Sequence, residues 1–217
     1  MIHEVDALLR TLLQSGALAG SDIEIAFDAP TKEWSARRNA PVLDCYLYDI
    51  REDIKRRERG AAAVRDEQGI VVRRRRPPRW FRLSYLLTAW TKRPEDEHRL
   101  LSAALATLLP HELLPPDTLP EAMAELGLSV PLTVAGIQTE SRSLAEIWSA
   151  LGGMLKPSLD LVVTVPFPAH PDYDAGPPVT EGTLVRAREI DGAEDGQRMH
   201  QPRHLAPAPT TTGARTR

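Results

Sequence analysis

Ile2, Val5, Leu8, Leu9, Leu12 and Leu13 recur at helical spacing, with Glu4, Asp6 and Arg10 between them. One apolar stripe on an otherwise polar segment predicts an amphipathic helix, closed near Gly16. At Asp22 the period drops to two. Ile23, Ile25 and Phe27 alternate with Asp22 and Glu24, the pattern of a half-buried strand. A loop is expected from Asp28 to Pro41. Pro41 to Ile50 predicts a second strand, with Leu43, Cys45 and Leu47 on one face and Tyr46 and Tyr48 on the other. Apolar character on both faces places it inside a sheet rather than at an edge. Phe81 to Trp90 predicts a third strand, with Phe81, Leu83, Tyr85 and Leu87 on a common face. The simplest topology pairs it antiparallel with the second.

Thr91 to Leu109 carries the strongest helical pattern. Leu100, Leu101, Leu105, Leu108 and Leu109 form its stripe, and Pro94 falls in the first turn, where a missing N–H costs nothing. Glu95, Asp96 and Glu97 complement the positive end of the helix dipole. The Pro-rich stretch Pro110 to Pro120 stops this helix. Glu121 to Leu126 reads as a short helix ended by Gly127, and Val130 to Val134 as a short strand. Ser143-Leu-Ala-Glu146 has the spacing of a capping box. It opens a helix bearing Leu144, Ile147, Trp148 and Leu151, which Gly152-Gly153 closes. Leu159, Leu161, Val163, Val165 and Phe167 then alternate along a last strong strand. Beyond it the composition shifts: residues 168–217 hold seven prolines and no Phe or Trp, too little apolar surface for a core of their own. The reading is therefore an α+β domain over residues 1–167. It comprises a mixed, mostly antiparallel sheet of four to five strands packed with about three helices, with a long basic hairpin arm. Residues 180–190 are expected to add one strand, and 191–217 to form a Pro-rich, disordered tail.

Charge and motifs then exclude function classes. The formal net charge is −3, so the molecule as a whole is not a polyanion binder. The single cysteine, Cys45, excludes an internal disulfide and lies in an apolar run, where a buried small hydrophobe is expected rather than a reactive thiol. Charges interrupt the apolar residues of the first helix, unlike a secretory signal. No run approaches the ~20 apolar residues of a membrane span, so cytoplasmic synthesis and no membrane partner are expected. There is no phosphate-cradling glycine motif and no GxSxG elbow. His200 and His204 are four apart but lie among prolines, and Gln201 follows His200 where a zinc-protease helix needs Glu. No catalytic residue, metal or cofactor is signalled, and a non-enzymatic role is expected.

The one charge anomaly is the connection between the second and third strands. From Arg51 to Arg82 twelve Lys or Arg face five Asp or Glu, a net of +7, densest at Arg73, Arg74, Arg75 and Arg76. Three readings stay open. The arm binds nucleic-acid phosphates, although only Trp80 and Phe81 interleave as stacking aromatics. It docks on an acidic protein partner. Or its charges protect a strand edge in solvent. Asp28 to Arg38 is a second candidate contact, with Trp34 beside Arg37 and Arg38. Trp34 is either an interface anchor or packed over its own core.

Three segments together resemble one family. They are Ile25 to Trp34 running on through Pro41 to Glu52; Leu83 to Trp90 with Glu95 to Leu101; and Ile147 to Gly153 leading into Lys156 to Pro166. They are similar, in order and spacing, to the N-terminal domain of cap or tube-terminator proteins of extracellular contractile injection systems, of the antifeeding-prophage and Photorhabdus virulence cassette type. The resemblance implies a structural ring, hexameric as a rule, on the distal end of the inner tube. Such a ring ends tube polymerisation and anchors the last sheath layer, with tube protein, sheath protein and further copies of itself as partners. It implies assembly into a particle that is released from the cell. Longer members continue into a further domain where this chain has the Pro-rich tail, so no role of that domain is expected of this chain. The alternative is a nucleic-acid-binding accessory protein acting through the basic 51–82 arm.

Overall fold

The computed structural model describes residues 1–16, 18–136, 143–168 and 172–176. In chain order its elements are α1 (Ile2–Ser15), β1 (Glu24–Ala26), α2 (Lys32–Ala36), β2 (Val42–Glu52), β3 (Ala62–Arg65), β4 (Val71–Arg75), β5 (Arg79–Trp90), α3 (Pro94–Leu108), α4 (Glu121–Ala124), β6 (Leu132–Val134), α5 (Leu144–Ala150), β7 (Ser158–Phe167) and β8 (Tyr173–Asp174). The expected strand at 180–190 and the tail at 191–217 lie outside the described residues.

Period-two alternation produces a five-stranded sheet in the order β1-β2-β5-β7-β6. β1 runs parallel to β2, and every other pair is antiparallel. β2, apolar on both faces, is an interior strand as its pattern requires. β5 is the spine. It pairs with β2 from Val42↔Trp90 to Glu52↔Phe81 and with β7 from Arg79↔Phe167 to Thr88↔Ser158.

α1 and α3 cover one face. Val5, Leu9 and Leu13 of α1 and Ala104 and Leu108 of α3 are fully buried with Leu43, Cys45, Leu83, Leu87, Leu161 and Val163 of the sheet. Each such aliphatic side chain contributes about 1.5–3 kcal/mol on burial. Tyr85 shares this face, and its hydroxyl donates to Asp6 Oδ1 of α1 at 2.8 Å. That bond gives the polar tip a partner inside the core. The end of α1 approaches α3 so closely that a methyl group on Gly16 would lie 2.8 Å from Thr107 Cβ and nearer still to its γ atoms.

α5 covers the other face, with Ile147 and Trp148 against Leu86, Tyr48, Trp90 and Leu151. The register of β2 on β5 shifts between Leu47 and Asp49. Tyr48 sits at this bulge, and its hydroxyl donates to Asp160 Oδ1 at 2.8 Å. Gly152 takes φ +67, with its N–H on Ser149 O and the Gly153 N–H on Trp148 O. This pair of bonds satisfies the end of α5 in the Schellman manner.

Four local expectations need correction or addition. The loop 28–41 contains α2, capped by Thr31, whose hydroxyl accepts the Trp34 N–H at 3.2 Å. The capping box at Ser143 is not made; only the Ser143 carbonyl accepts, from the Glu146 and Ile147 N–H groups. The basic arm is not a bare hairpin: β3 and β4 gain β8 as a third strand, forming a second small sheet. Of the predicted Glu121–Leu126 helix, Glu121–Ala124 is helical. Among the described residues no helix is long and apolar enough to cross a membrane.

Candidate functional site

The arm begins where β2 and β5 run past the helices. At its root Glu52 accepts from both Arg57 and Arg79, and these hydrogen bonds, Arg57 first, hold its carboxyl down at about 2. Arg56 lies 5.0 Å over the Trp80 ring. At the tip, Asp66 Oδ1 accepts the Gln68 and Ile70 N–H groups at 3.0 and 2.8 Å, Gly69 takes φ +81, and Arg65 donates to Gly69 O. An Asp and a left-handed Gly are what a tight hairpin turn needs.

Side chains alternate along β4, and the alternation splits the arginine cluster. Arg73 stands opposite Asp174 in the register, with its Nε 4.0 Å from that carboxylate. Arg75 holds Asp172 through two bonds of 2.9 and 3.0 Å. Arg74 stands opposite Tyr173, on the other face of the strand from Arg73 and Arg75; the register of β3 on β4 shifts at Val72. Arg76 follows the strand and is exposed. Among the described residues no carboxylate meets Arg74 or Arg76 within ion-pair distance. β8 was not foreseen because it is two residues long. Its only signal is the Asp172-Tyr173-Asp174 alternation, whose charges mirror Arg73 and Arg75.

The second candidate lies at the other end of β5, roughly 35 Å away at ~3.3 Å per residue. Trp34 is 7% exposed and packs on its own chain. Its ring meets Trp90 edge-on at 5.6 Å, its Nε1 donates to Asp28 Oδ2 at 2.9 Å, and Arg38 lies 4.6 Å over its face. Arg38 also bridges Glu24 and Asp28 and thus braces this corner. Arg37 is exposed; its Nε donates to Glu33 O at 3.2 Å. The structure therefore unites Trp34 with Arg38 and separates both from Arg73 to Arg76. Beside them runs an open groove of about 710 Å³ with apolar Leu18, Ile23 and Leu100 and cationic Lys92 and Arg93 in its walls.

Sequence reasoning missed Asp44 in this corner. It is fully buried, and neither carboxylate oxygen has a well-formed hydrogen bond. Burial first, and then the Asp28 charge, push its carboxyl up to about 8; the Asp28 backbone and Arg38 offset this only in part. Its signal in sequence was an acid on the Tyr46 face of an interior strand. Cys45 is buried, and desolvation pushes its thiol up. Among the described residues no three His, Cys, Asp or Glu side chains gather to hold a metal.

Residues 4–181 match the model of the Pvc16 N-terminal domain, which is most of the chain. The chain belongs to the Pvc16 N-terminal domain family. Two solved structures share its fold. One is the cryo-EM structure of the PVC sheath/tube terminator of an extracellular contractile injection system in the extended state, at 23% identity and a TM-score of 0.63 over 88% of this chain. The other is the anti-feeding prophage cap, a tube-terminating cap, at 22% identity and a TM-score of 0.58 over 83%. This chain spans 65% and 60% of the length of those two chains. No curated protein sequence matches it. The α+β architecture of this Pvc16 N-terminal domain accords with the resemblance carried by its three sequence segments.

Proposed function

We propose that this chain is a structural, non-catalytic cap of a phage-tail-like contractile injection particle. It terminates the inner tube and anchors the last sheath layer as a ring of six copies. Its partners are the tube protein, the sheath protein and neighbouring copies, and it is made in the cytoplasm and released with the particle. The observation that carries this reading is the match of nearly the whole domain to a family whose fold recurs in two tube-terminating proteins. Within it, Arg73 to Arg76 on the arm and Arg37 on the opposite end are the subunit or partner contacts, and Trp34 with Arg38 holds the corner that presents Arg37.

Nucleic-acid binding through residues 51–82 is the weaker reading. Arg51, Arg56, Arg57, Arg73, Arg75 and Arg79 each face a carboxylate, whereas phosphate binding draws on free cations. The cap reading is tested by adding the purified chain to assembling tube protein. Gold-labelled chain is expected at one end of each tube, with shorter tubes at higher chain concentration. Label scattered along the walls, with tube length unchanged, would reject it.

A further inference from the structure

We infer that the outward face of the arm, built by Arg74 and Tyr173 with Arg76 beside it, docks on the acidic body of a second copy of this chain. This rests on the ring reading and deepens it by naming the interface. A closed ring joins two different patches of each subunit head to tail.

The first patch follows from the register of β4. Arg73 and Arg75 are met by Asp174 and Asp172 of their own chain, and the Glu125 charge also reaches Arg75. That face is already satisfied. On the opposite face Arg74 and Tyr173 stand as cross-strand partners, both exposed, Tyr173 by 43%. A tyrosine and an arginine side by side on one small sheet are the types that anchor interfaces.

The second patch follows from charge. The arm carries +7, whereas residues 1–50 and 83–167 hold nine Lys or Arg against eighteen Asp or Glu, a net of −9. Residues 100–141 contain no Lys or Arg, and Glu112, Asp117 and Glu121 stand exposed there. A cationic arm and an acidic body on one molecule attract copies head to tail and repel them arm to arm. A nucleic acid would instead require a continuous cationic track with several stacking rings, and this face offers one ring.

The experiment is co-capture of untagged by tagged full-length chain from cells that also make the tube protein, after nuclease treatment. Wild type is expected to co-capture. Arg74→Glu with Arg76→Glu should reduce capture by about tenfold or more, as should Asp117→Arg with Glu121→Arg. Mixing the two reversed proteins should restore it, because the acidic arm of one then faces the basic body of the other, and the unchanged arm faces the unchanged body. Melting curves matching wild type would show that the variants are folded, and Arg74→Gln provides a milder second variant. Undiminished capture by the reversed arm, or no capture by nuclease-treated wild type, would each overturn the inference. Failure of the cap reading shows separately, as unchanged tube length while co-capture persists.

Discussion

At the residue scale, Asp44 makes the sharpest prediction. Burial holds it neutral in the fold up to about pH 8, whereas in the unfolded chain it ionises near pH 4. Because burial raises its folded pKa, its contribution to stability is fully present below pH ~4 and is lost as pH rises through about 8. Asp44→Asn should therefore melt higher than wild type at pH 8 and by much less at pH 5. The gap should be several degrees, at about 2–4 °C per kcal/mol for a chain of this size. Equal gaps at both pH values would show that the carboxyl is not held neutral. Trp34 gives a second test. Trp34→Ala removes a buried ring and should cost about 3 kcal/mol, read as a lower melting temperature. An unchanged melt with lost assembly would instead make it an interface anchor. The sequence marked Trp34 as important but left its direction open, because a tryptophan after an Asp-x-Pro turn suits either role. In the fold the α2 turn brings Arg38 over its ring and Asp28 to its Nε1.

At the scale of elements, segments that bury a repeated face were legible, and two short segments held by a cap or by pairing were not. Period two located β2, β5 and β7, and the leucine stripe located α3, because each of these elements buries a repeated face. α2 is five residues long and turns on the Thr31 cap, and β8 is two residues long and exists through its pairing with β4. Neither carries a repeat long enough to read. The arm was legible as charge but not as geometry: composition showed four consecutive arginines, and only pairing shows that alternate ones are neutralised. Within β3 and β4 no residue is buried, so the arm adds little to the core. Replacing residues 58–76 with a short Gly-Asn-Gly turn should leave the far-ultraviolet spectrum of the main sheet and its melting temperature nearly unchanged while abolishing assembly. A collapse of the melt would show that the arm supports the sheet. Gly16→Ala should act the other way. Its methyl meets Thr107, and overpacking of this kind costs about 1–3 kcal/mol, seen as a lower urea midpoint; an unchanged midpoint would mean that α1 and α3 part freely.

At the scale of the whole molecule, the buried cluster runs from Val5 to Val165, and we propose that residues 1–167 fold as a unit. A chain ending at Gly176 should keep the full-length melting temperature. A large drop would assign Thr180 to Ile190 to the core as an additional strand. Assembly was legible only through the resemblance, since a ring interface has no periodic signature within one chain. The central claim, that this chain ends the tube, is tested most directly by deleting its gene in the host and measuring particle length by negative-stain electron microscopy. The account predicts long, variable or unsheathed tubes, restored to normal length when the chain is supplied again. Particles of normal length with normal ends in the deletion strain would contradict it.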